Sequence, residues 1–164
     1  MTPRSFQDYY PAHLAHCYGC GRLNNEGHHI QSFWDGEESV CHFMPDPQFI
    51  SVAGYVYGGL LASLADCHGT GTAAAAAYRA EGRDMDSEPP LRFLTASLHL
   101  DYVKPTPLGI LLEIRGKVRS VEGRKVTIEE WISAGDEITV RGQVVAVQVP
   151  DRMLLELQKP QKPT

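Results

Sequence analysis

Gly58-Gly-Leu-Leu-Ala-Ser-Leu-Ala-Asp66-Cys-His-Gly-Thr-Gly-Thr72, followed by five alanines at 73–77, decides the architecture. It lies in the one long helical candidate, running from about Val56 to Ala80. At 100° per residue, Leu60, Leu61, Leu64, Cys67 and His68 fall on one arc. Gly59, Ala62, Ser63, Asp66, Gly69, Thr70 and Ala73 fall on the opposite one. The bulky arc is built to face a core. The other, small residues around a single carboxylate, lets a backbone, a second helix or a ligand come close to Asp66.

Strand patterns flank this helix on both sides. Before it, Ile30 to Trp34 and Ser39 to Met44 read as two short strands joined by Asp35-Gly36, a pair that tolerates positive φ, and closed by Pro45-Asp46-Pro47. After a polar loop from Glu81 to Pro90, Leu94, Ala96, Leu98, Leu100 and Tyr102 alternate with Thr95, Ser97, His99 and Asp101, a period of two. Ile110, Leu112, Ile114 and Val118 make a second such row, Val126, Ile128 and Ile132 a third, and Ile138, Val140, Val144 and Ala146 a fourth within Glu137 to Val149. Short turns at Pro105–Gly109, Glu122-Gly123 and Ala134-Gly135-Asp136 imply antiparallel neighbours. The expected fold is α+β, one long helix packed on an antiparallel sheet of five or six strands. A single helix covers one face of such a sheet, leaving an edge and a helix end for another copy of the chain, so a homodimer is expected.

The 164 residues argue for one domain. With 43% apolar and 21% charged residues, the composition excludes wholesale disorder, collagen and coiled coil. A net charge of −5 is the wrong sign for a protein that lives on nucleic acid or an anionic membrane. No stretch matches a membrane span, the start lacks the apolar core of a secretory signal, and four cysteines fit a reducing compartment, so a cytoplasmic protein is expected. Three segments are expected: an N-terminal elaboration at 1–29, the α+β domain at 30–149, and a C-terminal tail at 150–164 holding a brief helix or coil.

Gly58 and Gly59 leave helix-start amides unobstructed by any Cβ, with the positive end of the dipole behind them, which suits a carbonyl oxygen becoming anionic. Gly59 and Asp66 share a face but stand about 10.5 Å apart along the axis. One carbonyl cannot touch both. Either the ligand is long, or antiparallel helices of two chains bring the amides of one to the carboxylate of the other. The alternative is a tight helix–helix contact with Asp66 as a bonded buried residue. Thr95 lies on the strand face opposite the apolar row, so it reaches Asp66 only if that face turns to the helix or a bulge re-aims the strand start. His13-Leu-Ala-His16-Cys17-Tyr-Gly-Cys20 offers four metal ligands, but in a spacing too compact for the usual zinc fingers. The expectation is a metal-free turn in which Gly19 and Gly21 supply tight backbone conformations. Cys41 and Cys67 are expected in the core, and His68 as a packed histidine.

Gly54-Tyr-Val-Tyr57-Gly-Gly-Leu-Leu-Ala-Ser-Leu-Ala-Asp66 resembles the helix signature of hotdog-fold acyl-CoA thioesterases of the phenylacetate-pathway (PaaI-like) branch. Leu94 to Pro105, ending Tyr102-Val-Lys-Pro105, resembles the strand that follows, and Cys17-x-x-Cys20-Gly21-x-x-Asn24-x-x-Gly27 an N-terminal motif of some members. The resemblance spans roughly residues 17–149. It implies Asp66 as general base or nucleophile, the Gly58 amide as oxyanion donor from the partner chain, and Thr95 as a holder of the attacking water. Ser51 stands where some members place Asn or Gln, and Tyr57 where the motif has histidine. These two, with Gly59 and Ser63, are the implied substrate-contacting positions. Lys104, Arg124 and Lys125 are candidates for the phosphates of coenzyme A. The resemblance implies no metal or redox cofactor, coenzyme A entering as part of the substrate, a dimer or tetramer, and neither nucleic acid nor membrane as partner. A non-catalytic acyl-CoA sensor and a hotdog acyl-thioester hydratase or dehydratase are the competing expectations.

Overall fold

A computed structural model describes residues 3–159. Strands β1 (Ser32–Asp35) and β2 (Glu38–Phe43) precede helix α1 (Gly58–Ala80); β3 (Phe93–Tyr102), β4 (Leu112–Glu122), β5 (Lys125–Ala134) and β6 (Glu137–Gln148) follow. They form one six-stranded antiparallel sheet in the order β1-β2-β4-β5-β6-β3. The hairpins β1–β2, β4–β5 and β5–β6 are present as expected, but the Pro105–Gly109 turn does not join neighbours: β3 pairs with β6 at one edge, while β4 pairs with β2 and β5, so the chain crosses over between them. Gly36, Gly109, Gly123 and Gly135 take positive φ at the turns. Ile110 and Leu111 stay outside β4 and are exposed. The tail forms α2 (Asp151–Leu157), anchored by buried Leu154, while Pro160 and Pro163 lie outside the described residues. No described helix is long and apolar enough to cross a membrane.

The sheet's inner face, with Leu112, Ile114, Val126, Ile128, Ile132, Val140 and Val144, packs on α1. Its outer face is polar, with Arg115 bridging Asp35, Glu38 and Glu113, as an antiparallel sheet wet on one side should be. Helix burial departs from a two-sided pattern. Both arcs are buried from Cys67 through Tyr78, because the N-terminal segment lies across the helix as a strap, burying Phe6, Gln7, Tyr10, Ala15, Cys20 and Ile30. Small residues permit this closeness: a Cβ on Gly71 would fall 2.6 Å from Gln7 Nε2, and one on Gly19 2.2 Å from Cys67 Sγ. A Cβ on Gly21 would likewise fall 2.5–2.7 Å from the Cys17 and Ala15 backbone, and neither Gly19 nor Gly21 is at positive φ. Their role is space, not conformational freedom. Of the small-residue arc, Gly59, Ala62, Ser63 and Asp66 remain at least partly open.

His68 is the packed residue expected. Fully buried, it bridges Ser32 Oγ through Nδ1 and Ser39 Oγ through Nε2, each at 2.9 Å, tying α1 to both N-terminal strands. Burial pushes its pKa down to about 3, so it stays neutral.

Candidate active site

Strand β3 resolves how Thr95 can face the helix. Its pairing with β6 shifts between Thr95 and Ser97, leaving Ala96 as the extra residue of a bulge. The bulge inverts the alternation: Phe93 and Thr95 point inward before it, Leu98 and Leu100 after it. Leu94, placed in the apolar row by simple period two, is therefore 50% exposed. Re-aimed in this way, Thr95 Oγ1 donates a hydrogen bond to Asp66 Oδ1. Asp66 is half-buried, and its Oδ2 accepts no bond among the described residues. The hydroxyl proton of Thr95 is thus directed at the carboxylate, and towards water Thr95 can only accept.

A second group assembles at the helix start. Tyr57 is the N-cap but makes no side-chain cap, leaving the first-turn amides of Gly58 and Gly59 without intrahelical acceptors. Its ring folds back over Gly59, where a Cβ would meet Tyr57 Oη at 2.1 Å, so a side chain there would require the exposed Tyr57 ring to move. Tyr102 Oη donates to the Gly58 carbonyl at 2.9 Å and fixes this end of the helix to β3. Ser51, Gly58, Tyr102 and Lys104 line a groove of about 400 Å³ beside it. Ser51 Oγ accepts from the Val52 amide. Asp66 and Thr95 do not line this groove, as the two-turn separation requires.

The remaining expected binders do not gather in one place. Lys104 pairs with Glu137 at 3.1 Å near the helix start. Arg124 and Lys125 lie in the β4–β5 turn, at the end of the sheet where Leu94 and Lys125 both register with Val147. Lys125 pairs with Glu122 at 3.5 Å, and Arg124 donates to the Gln148 carbonyl at 2.6 Å. Ser63 Oγ lies towards Gly19 of the strap.

Three features escaped the sequence reading. Tyr102 was legible as a strand residue and as part of the Tyr102-Val-Lys-Pro105 ending, but not as a partner of the helix start. Glu130 follows the inward register of Val126, Ile128 and Ile132, a signal that alternation alone supplied. Its two carboxyl oxygens are buried without a partner among the described residues. Burial, and then the negative charge of Asp66, raise its pKa well above the carboxylate range. Cys67 is buried as expected but meets Cys17 at 3.7 Å between sulfurs, with Cys20 beside them. Cys41 stands apart in the core, burial pushing its thiol up to about 12.

The family described as Thioesterase superfamily matches residues 53–132. A thioesterase superfamily protein of Shewanella loihica PV-4, known as a crystal structure, is 44% identical to this chain, with a TM-score of 0.67 covering 88% of this chain and 99% of that one. The chain belongs to the thioesterase superfamily, and its helix-on-sheet architecture is the hotdog fold. The acyl-coenzyme A thioesterase THEM4 of Xenopus laevis is 32% identical over 108 residues, 66% of this chain. This chain spans 43% of that curated relative's length. The PaaI protein of the E. coli phenylacetic acid degradation operon, 15% identical with a TM-score of 0.61 over 75% of this chain and 81% of its own, shares the fold.

Proposed function

We propose that the protein hydrolyses an acyl-CoA thioester to the free acid and coenzyme A, at a site composed by two copies of the chain. The observation that carries this reading is the Thr95–Asp66 hydrogen bond, which holds one carboxylate oxygen and leaves the other open beside the small residues Ala62 and Ser63. Asp66 takes a proton from water as the hydroxide adds to the thioester carbon. The carbonyl oxygen, becoming anionic, lies on the Gly58 amide of the second copy. Collapse of the tetrahedral adduct breaks the C–S bond, and the Asp66 proton passes to the departing thiolate. Hydratase chemistry is disfavoured, because His68 is sealed between two serines and Tyr57 occupies the helix-start slot. The reaction so written uses no metal or redox cofactor. The names of the relatives support coenzyme A as part of the substrate. Four free cysteines suit a reducing, cytoplasmic setting.

A panel of acyl-CoAs with free-thiol detection tests the activity. Thiol release from none of them, with thioester bound intact, would make the protein a sensor. Thr95→Ala should lower kcat by about 10–100-fold with little change in KM, because Thr95 orients the base without taking the proton.

The composite site requires an oligomer. Strand β3 is an edge of the sheet, and around it Leu94, Tyr102, Val103 and Tyr57 are each 48–52% exposed, an apolar margin that a second copy would cover. Light scattering should give at least twice the 18.1 kDa of one chain; a monomer at micromolar concentration removes the composite mechanism.

A further inference from the structure

The N-terminal strap and α1 meet at a point that hydrolysis does not use. The sulfurs of Cys17, Cys20 and Cys67 all lie within 4.8 Å of one another, two from the strap and one from the helix, next in sequence to Asp66. The Cys17–Cys67 separation of 3.7 Å is far too long for a disulfide, whose bond is about 2.05 Å. It matches two thiolates on one tetrahedral ion, since zinc–sulfur bonds of about 2.3 Å place neighbouring sulfurs roughly 3.8 Å apart.

We propose that Cys17, Cys20 and Cys67 bind one zinc(II) ion with three thiolates and an open fourth position, tying the strap to the helix carrying Asp66. Binding displaces three thiol protons to solvent and leaves a tris-thiolate complex of net charge −1, the fourth position filled by water on the side where Cys17 is partly exposed. Charge and packing agree with this. Arg92 is 8% exposed and has no carboxylate partner among the described residues. Its guanidinium is 4.3 Å from the centre of the Tyr10 ring, and Nη1 donates to Tyr10 Oη at 3.3 Å. A buried guanidinium needs a counter-charge, and the tris-thiolate complex supplies one. The crowding at Gly19 and Gly21 fits the same purpose, because a side chain at either would force the two strap sulfurs away from Cys67. His13 and His16, which the sequence pattern offered as ligands, stand outside the cluster. The four ligands of the turn were too closely spaced for a zinc set of their own; a third sulfur, contributed by the helix, changes the expectation of a metal-free turn.

The test is elemental analysis of the full chain purified without a histidine tag, together with cobalt(II) titration of chelator-treated protein. One zinc per chain is expected, with thiolate-to-cobalt charge-transfer bands and the visible bands of tetrahedral cobalt. Chelation should lower the melting temperature. Cys17→Ser and Cys67→Ser should each lose the metal and the cobalt spectrum, whereas Cys41→Ser should keep both; Cys17, being partly exposed, can be replaced without opening the core. A parent protein free of zinc and silent with cobalt overturns the proposal. So does metal retained in both Cys17→Ser and Cys67→Ser, or a metal-free cluster that hydrogen peroxide closes into a disulfide. None of these outcomes depends on thioester hydrolysis.

Discussion

Asp66→Asn should leave the fold and oligomeric state unchanged and lower acyl-CoA hydrolysis by several orders of magnitude. The amide is isosteric with the carboxylate and can still accept the Thr95 hydrogen bond, so the helix and the β3 bulge keep their geometry. It neither takes a proton from water nor attacks a carbonyl. The loss should fall in kcat, with KM little changed, if Asp66 acts on the attacking water rather than in binding the substrate. Comparable turnover in mutant and parent would remove Asp66 from the reaction, and circular dichroism with light scattering shows whether the comparison is fair. The combination with Thr95→Ala should be little worse than Asp66→Asn alone, since a positioned base that is absent cannot be mispositioned.

The second large effect is on stability, at Glu130. Fully buried with both oxygens unpartnered among the described residues, and facing the charge of Asp66, this carboxyl keeps its proton in the folded state well above the pH at which it is lost from the unfolded chain. The native state therefore binds more protons than the unfolded one between about pH 4.3 and the raised native pKa. Across that window stability falls as pH rises, by about 1.4 kcal/mol for each pH unit. Glu130→Gln keeps the shape and removes the titration. Its melting temperature should lie close to that of the parent near pH 4.5 and gain on it as the pH rises through this window, at about 2–4 °C for each kcal/mol. Parallel melting curves of parent and variant from pH 5 to 8 would show that the carboxyl finds a partner in solution.

These two residues also mark how far the chain could be read without coordinates. The helix from Gly58 to Ala80 was legible because its leucine spacing, its five alanines and the Gly58-Gly59 start are all local signals. So were the hairpins, whose turns fall at glycines that take positive φ. The small residues around Asp66 left a helix–helix contact and a ligand site both open, and the class of site came from the resemblance of Gly54 to Asp66 to a thioesterase helix signature. Glu130 was half legible: alternation put it inside, but charge argued for outside, and only packing settles such a conflict.

The sequence by itself determined which segments are helix and strand, and that the helix offers amides at its start and a carboxylate two turns on. Those features depend on residues close in the chain, where propensity and periodicity act. Tertiary structure decided three things. A single extra residue, Ala96, inverts the phase of β3 and brings Thr95 to Asp66, because a bulge is a property of two paired strands and not of one. The strap covers the helix face that periodicity left open, since what packs on a small-residue arc depends on which distant segment arrives there. Cys67 joins Cys17 and Cys20 across fifty residues of chain, a distance at which no spacing rule operates.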